Sequence, residues 1–469
     1  MFIDGKVVVK EKTISVTSPF NGEVVGKVAC ADAADVERVL DNARKAVGIM
    51  KNMPAGKRAE ILELASQKVN GNEELARIIS LEVGKTIREA RGEVARAANT
   101  LKLSADACRN LCGETVRLDL DGPTHKTGFY QRVPIGIVLA ITPFNYPLNL
   151  ACHKIGPAVA AGNAVIHKPA TATPLSAMLL AKILMEAGLP KEALSVITAP
   201  GAEIGDMLVR HTDIRKISFT GSPEIGERIT QMAGLKKITM ELGSNSALVV
   251  FQDAQLGKVV KKVRMGAYTA AGQVCISIQR VYVHESVFET FVEMLNEEVK
   301  TITTGDPLNE DTCMGPMIND KAAAKIKEWI DKAVQSGGRI VCGGGLNGAF
   351  LEPTILADVP ENCTVVQEEV FAPLVVVNKF STLDESIEKV NCSKYGLQAG
   401  IFTNNLQYAM KFADRIDSGG VMINEFPTYR VDQMPYGGVK TSGIGREGPK
   451  FAIEDMTEIK MVVLDYQDE

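Results

Sequence analysis

An α/β chain carrying two parallel sheets is what this sequence predicts, and three observations predict it. From Gly136 onward, short β-rich runs alternate with helical stretches; a second alternating series begins at Ala247; and glycine and proline punctuate the helix ends. The first series places strands at 138–141, 164–167, 194–198, 216–219 and 237–240. The second places them at 247–251, 280–284, 374–378, 399–402 and 420–424.

The remaining elements follow in order. Over 54–111 the apolar residues Ile61, Leu62, Ala65 and Val69 recur at three- and four-residue intervals, so helices there cover one side of a sheet. The helix over 175–187 stops at Gly188, with Pro190 just beyond. The polar, alternating segment 115–133 contains the turn signal Asp121-Gly122 and reads as a hairpin outside the first sheet. The apolar run 460–464 is a last strand, serving either assembly or the closing of its own sheet. Gly343-Gly344-Gly345, beside Asn347 and Gly348, reads as a flexible surface loop.

Composition narrows the class. A length of 469 residues suggests two or three domains, and 45% hydrophobic with 23% charged residues is the balance of a soluble globular protein. The formal net charge of −5, without a long run of one sign, argues against a nucleic-acid partner. Neither a membrane-spanning run nor a secretory leader is visible, so the expected compartment is the cytoplasm. Nine cysteines without a CxxC pair argue against a disulfide framework or a zinc ribbon. His125, His153, His167, His211 and His284 lack metal-binding spacing, and no metal is expected.

Five short segments can carry chemistry. Ala271-Gly272-Gln273-Val274-Cys275 puts a thiol just after a helix, where it is either a nucleophile or a buried structural cysteine. Met240-Glu241-Leu242-Gly243-Ser244 puts a carboxylate at a strand end between the two series, as a proton acceptor or as a solvated turn residue. In Thr142-Pro143-Phe144-Asn145-Tyr146-Pro147 two prolines stiffen the turn that carries Asn145, whose amide can donate to an oxyanion or simply serve the turn. Phe219-Thr220-Gly221-Ser222-Pro223 opens a helix whose free amides attract phosphate, although the full GxGxxG pattern is missing. Lys168, in Lys168-Pro169-Ala170-Thr171, ends a strand where a ribose would lie, or is merely solvated.

Taken together and in this order, Pro143-Phe144-Asn145, Lys168-Pro169, Phe219-Thr220-Gly221-Ser222, Glu241-Leu242-Gly243, Gly272-Gln273-Val274-Cys275 and Glu369-Val370-Phe371-Ala372-Pro373 resemble the aldehyde dehydrogenase superfamily over nearly the whole chain. The resemblance implies a Rossmann-like cofactor domain (1–118 and 138–243), an α/β catalytic domain (244–426) and a small β oligomerisation element (119–137 and 450–469) in a homodimer or homotetramer. It implies Cys275 as nucleophile, Glu241 as base and Asn145 as oxyanion donor. It implies NAD or NADP held by Thr142, Pro143, Phe144, Lys168, Thr171, Gly205, Phe219, Gly221, Ser222, Leu242, Glu369 and Phe371. CoA-acylating relatives generally lack the base, so a free acid is the expected product.

Three departures stand out. Ser244 occupies the place of a second glycine, Ala372 replaces the glycine of Glu-x-Phe-Gly-Pro, and Thr171 stands where strict NAD users often carry a glutamate, which permits NADP. The segment from Tyr429 to Gly448 is similar to the branch acting on lactaldehyde, glyceraldehyde 3-phosphate and phosphonoacetaldehyde. Within it a lactaldehyde-like hydroxyaldehyde comes first and an anionic short aldehyde second. Lys102, His153 and Arg430 are the candidate cations for such a tail, while Val274 stands where phosphate-type members often have arginine.

Overall fold

In a computed structural model, residues 1–466 are described. Two large sheets dominate. The eight-stranded sheet runs, in spatial order, Lys6–Val7, Phe2–Ile3, Leu194–Val196, Ala164–Lys168, Ile137–Ile141, Ile214–Thr220, Lys237–Glu241 and Gly443–Ile444. Its five central strands are parallel, and in chain order they lie third, second, first, fourth, fifth. The chain therefore reverses its winding between Ile137–Ile141 and Ile214–Thr220, and a crevice opens above the carboxyl ends of those two strands.

The seven-stranded sheet runs Arg339–Cys342, Thr354–Ala357, Leu374–Phe380, Arg280–His284, Ala247–Val250, Gln398–Phe402 and Gly420–Ile423, parallel except for the first strand. Every strand expected from sequence is present within a few residues. Buried on both faces, such strands show continuous apolar runs, and that is why they were legible.

After Gly420–Ile423 the chain crosses back to the first sheet, where Gly443–Ile444 pairs antiparallel with Lys237–Glu241. The helices Ala55–Val69, Glu73–Val83 and Ile87–Asn110 fill the segment expected to be helical. A capping box of Thr86 and Glu89 starts the last of them. The helix Leu175–Glu186 ends before Gly188, which takes φ +101° as the stop signal required. Elements absent from the sequence reading include the helix Ala33–Asn52, begun by an Asp32/Asp35 capping box, the hairpin Thr13–Thr17 with Val24–Ala29, and the strands Arg339–Cys342 and Thr354–Ala357 of the second sheet.

The third sheet stands apart, with Lys126–Pro134 between Thr115–Val116 and Thr457–Asp465. The last strand pairs with Lys126–Pro134 over nine residues and leaves Ile459, Met461, Val463 and Leu464 exposed. Residues 467–469 of the expected oligomerisation element lie outside the described residues. The glycine run at 343–345 is corrected from a flexible loop to a tied turn. The Gly344 N–H donates to Thr354 Oγ1 and the Gly345 N–H to Glu352 Oε2, both at 2.9 Å, and a Cβ on Gly343 would sit 2.2 Å from the Pro353 carbonyl oxygen. Among the described residues no helix is long and apolar enough to cross a membrane, and no cluster of three or more His, Cys, Asp or Glu side chains is arranged to hold a metal.

Candidate active site

The crevice at the winding reversal is a cavity of about 790 Å³. It is lined by all twelve residues expected around a dinucleotide: Thr142, Pro143, Phe144, Lys168, Thr171, Gly205, Phe219, Gly221, Ser222, Leu242, Glu369 and Phe371. Asn145 and Cys275 line it as well. Trp329 and Lys325, from the helix Asp320–Gln335, also line it and carried no signal in the sequence, because they reach it only through packing of the second sheet's helices.

Its floor suits a phosphate-linked, ribose-bearing ligand. The helix Pro223–Ala233 opens at Ser222, and its first amides face the cavity with the positive end of the helix dipole. Lys168 is 6% exposed, its one hydrogen bond among the described residues goes to the Pro169 carbonyl at 3.5 Å, and burial lowers its pKa. The buried Thr220 hydroxyl has no partner among the described residues. Glu369 accepts from the Ser244 N–H at 2.9 Å, and burial pushes its carboxyl up to about 7. Gly243 packs against it: a Cβ there would lie 2.6 Å from Glu369 Oε2 and displace that carboxylate. Buried polar groups left this free fit ribose hydroxyls and phosphate. Thr171 spends its hydroxyl on the Ala199 carbonyl at 3.3 Å and brings no charge to the wall.

At the other end of the cavity, a backbone in unusual conformation presents the thiol. Ala270, Ala271 and Gly272 all take positive φ, at +51°, +54° and +69°. Only the third is obligatory by residue type, since a Cβ on Gly272 would lie 2.0 Å from the Ala372 carbonyl oxygen. Three side chains hold the two strained alanines. Glu89 Oε1 accepts from the Ala270 N–H at 2.8 Å, Gln273 Nε2 donates to the Ala270 carbonyl at 3.0 Å, and Asn145 Nδ2 donates to the Gln273 carbonyl at 2.8 Å. That last bond fixes which end of the Asn145 amide faces the thiol turn, because only the NH₂ group can meet a carbonyl. It leaves Asn145 a second N–H.

Cys275 packs with Tyr146, Val274, Ile276, Leu397 and Tyr436, and its Sγ lies 2.8 Å from the Tyr436 hydroxyl. Burial pushes the thiol up to about 11, while Tyr436 and Arg430 pull it back. Glu241 ends its strand 2% exposed, with neither carboxylate oxygen bonded among the described residues. Burial first, and the Glu447 charge second, raise its pKa well above the carboxylate range. A Cβ on Gly437, the neighbour of Tyr436, would approach Glu241 Oε1 to 2.8 Å, so the returning loop links the carboxyl to the thiol.

Behind them lies a buried ionic cluster. Lys154 Nζ donates to Glu447 Oε1 at 2.6 Å, and Arg430 Nη2 lies 3.4 Å from Glu447 Oε2 and 3.4 Å from His153 Nε2. His153 meets Asp432 at 3.1 Å, Asp432 meets Arg96 at 2.8 Å, and the Arg430 guanidinium lies over the Tyr436 ring at 3.6 Å. Burial, reinforced by the Arg430 charge, lowers the His153 pKa, so the imidazole is neutral at pH 7. Of the three candidate cations, His153 is therefore corrected to a neutral imidazole held by Asp432, Arg430 keeps its charge, and Lys102 is placed elsewhere. It is exposed on the helix Ile87–Asn110, facing Glu63, because the buried face of that helix is taken by Leu101 and Ala105. Tyr436, Glu447, Lys154 and Gln273 were missed as site residues, since each acquires its role through a partner more than a hundred residues away.

A crevice fit for a dinucleotide that opens onto a thiol suits covalent capture of a carbonyl followed by hydride removal, the chemistry of nicotinamide-dependent oxidoreductases. Residues 7–462 match the profile of the Aldehyde dehydrogenase family, and the chain belongs to that family: it is an NAD(P)-dependent oxidoreductase acting on aldehydes. It is 45% identical to a 3-sulfolactaldehyde dehydrogenase of Priestia aryabhattai, over 99% of this chain and 97% of that one. It is 38% identical to a lactaldehyde dehydrogenase of Methanococcus aeolicus, over 99% of each. The structure matches a glyceraldehyde-3-phosphate dehydrogenase of Methanocaldococcus jannaschii complexed with NADP at TM-score 0.94 and 38% identity, covering 98% of this chain and 100% of that one.

Proposed function

We propose that the protein oxidises a short, polar, lactaldehyde-like aldehyde to the free acid at Cys275, with Asn145 and Glu241 as its other catalytic groups. The observation that carries this reading is that an amide with a spare N–H and a thiol both line the cofactor cleft, while a buried carboxyl with two oxygens unbonded among the described residues lies against the loop that carries Tyr436. Cys275 gives its proton to Glu241, which passes it to solvent before the next step, and Sγ forms a bond to the carbonyl carbon while the π pair moves to oxygen, where Asn145 Nδ2 and the Cys275 N–H donate to it. When bound, the nicotinamide accepts the hydride. Cys275 then carries a thioester, and Glu241 takes a proton from the water that displaces the sulfur. Lys168, Glu369, Ser222 and the other cleft residues named above hold the dinucleotide, and uncharged Thr171 admits NAD or NADP.

We read the side chains packed with the thiol as the wall of a substrate nook, and their crowding favours a short substrate. One observation favours an anionic tail as the second reading: Arg430 Nε is buried without a partner among the described residues. The relative acting on 3-sulfolactaldehyde, at 45% identity, points the same way. Initial rates with lactaldehyde, 3-sulfolactaldehyde, glyceraldehyde 3-phosphate and phosphonoacetaldehyde, each with NAD and NADP, separate the two. A preference for charged substrates that Arg430→Ala abolishes favours the second reading.

Product analysis without CoA should give free acid, and a requirement for CoA would overturn hydrolysis by Glu241. Glu241→Gln should slow turnover roughly 10²–10⁴-fold, with an initial burst of reduced cofactor retained. Cys275→Ser at full activity would replace the enzymatic reading with a silent structural one. We assign 1–118 with 138–243 to cofactor binding, 244–426 to catalysis, and 119–137 with 450–469 to assembly as a homodimer or homotetramer, which light scattering tests. Nine free thiols, one of them the nucleophile, favour the reducing cytoplasm.

A further inference from the structure

Tyr436 enters the site from the loop that returns to the first sheet. Among the described residues, the contact with Cys275 Sγ at 2.8 Å is the one hydrogen bond of its phenol. We propose that Tyr436 is a positioning residue for the nucleophile: its hydroxyl donates to Cys275 Sγ, holds the sulfur at the cleft mouth and stabilises its ionised form. The proposal rests on Cys275 as the nucleophile.

Three observations support it. First, the phenol is rigidly placed. The Tyr436 backbone exchanges two hydrogen bonds with Glu447, at 3.1 and 2.6 Å, and the Glu447 carboxylate is itself anchored by Lys154. Second, the Arg430 guanidinium lies on the ring at 3.6 Å. A cation held against an aromatic face draws electron density from it, and that strengthens the phenol as a donor. Third, the direction of the bond is forced once the sulfur ionises. Burial holds the Tyr436 hydroxyl well above its ordinary pKa, so it keeps its proton, and a thiolate has none to give.

The charges around the sulfur make this bond matter. Tyr436 and Arg430 favour the thiolate, Tyr436 first, whereas burial, Glu369 and Glu241 oppose it; Tyr146 packs alongside. If Tyr436 were only a wall of the substrate nook, phenylalanine would fill the same space and leave the thiol unchanged.

Carbamidomethylation of Cys275 by iodoacetamide, followed against pH by peptide mass spectrometry on the full-length protein without cofactor, reads the thiol directly. Tyr436→Phe should move the titration midpoint up by about one unit and slow alkylation at pH 8 roughly tenfold, as expected for the loss of one charge-assisted hydrogen bond. With 3-fluorotyrosine incorporated at position 436, the phenol is a stronger donor in the same fold, and the midpoint should move down. A midpoint unmoved in both proteins, or moved in the opposite sense, overturns the proposal. Alkylation needs neither aldehyde nor turnover, so this outcome is separate from any failure of the proposed oxidation, which product analysis reads.

Discussion

Lys168 ends a strand of the first sheet and Lys154 lies on the helix Asn149–Ala161 just before that strand; both are buried, yet their surroundings differ in kind. Lys168 stands in the crevice at the winding reversal with no acidic partner among the described residues, and the unbonded Thr220 hydroxyl lines the same cavity. Lys154 stands behind the thiol, ion-paired with Glu447, which also faces Arg430; from Arg430 the neutral His153 bridges by hydrogen bonds to the Asp432–Arg96 ion pair. Buried polar groups are costly without partners. A region that leaves them unpaired is shaped for a ligand, and a region that pairs them is shaping itself. Glu241 and Arg430 Nε are the instructive exceptions, both left unbonded among the described residues at the edge of the paired cluster. In the proposed reaction the partner of Glu241 is a transient water.

Substituting the two lysines is the sharpest way to break that contrast. Lys154→Met strands the Glu447 carboxylate and should cost about 3–5 kcal/mol in urea melts. Lys168→Met should leave the folded state within about 1 kcal/mol of the parent and weaken cofactor binding roughly ten- to a hundredfold by fluorescence titration. Equal destabilisation by both would mean that the crevice lysine is structural after all.

Acid should separate the regions next. Glu447 is buried, yet Lys154, His153 and Arg430 hold its carboxyl down at about 2, below the value of about 4.3 in an unfolded chain. A depressed carboxyl favours the folded state while ionised. Its contribution is complete above about pH 4.3 and drains away as pH falls through about 2. Melting temperatures over this range should fall, and Glu447→Gln should flatten the limb; parallel limbs would remove the cluster from the acid response. The smallest effect is expected at Lys102. Exposed and outside both regions, its replacement by alanine should leave kcat/KM unchanged within about twofold, as for a solvated surface charge. A larger loss confined to anionic aldehydes would return it to the substrate path.

Motifs written in one stretch of chain were legible. Phe219-Thr220-Gly221-Ser222-Pro223 and Glu241-Leu242-Gly243 each couple a strand end to the residues the crevice uses, so their geometry follows from local backbone rules. The thiol turn was half legible. Gly272 announces a left-handed conformation, but nothing about Ala270 or Ala271 does, since alanine avoids that region unless tertiary contacts hold it there. Of the ionic cluster only His153 and Arg430 were singled out, as cations for a substrate tail, and none of its pairings was legible. Glu447 looks like any charged loop residue until Lys154, from a helix nearly three hundred positions earlier, is brought within 2.6 Å.

By itself the sequence determined two α/β sheets, the order of their strands along the chain, and the residue types gathered at the strand ends, because hydrophobic periodicity and turn chemistry act over a few neighbours. Only the tertiary structure decided which charges pair with each other and which wait for a ligand, that Lys102 stands apart, and that Tyr436 meets the sulfur of Cys275. Those outcomes depend on burial and on contacts between distant segments, which no local pattern encodes.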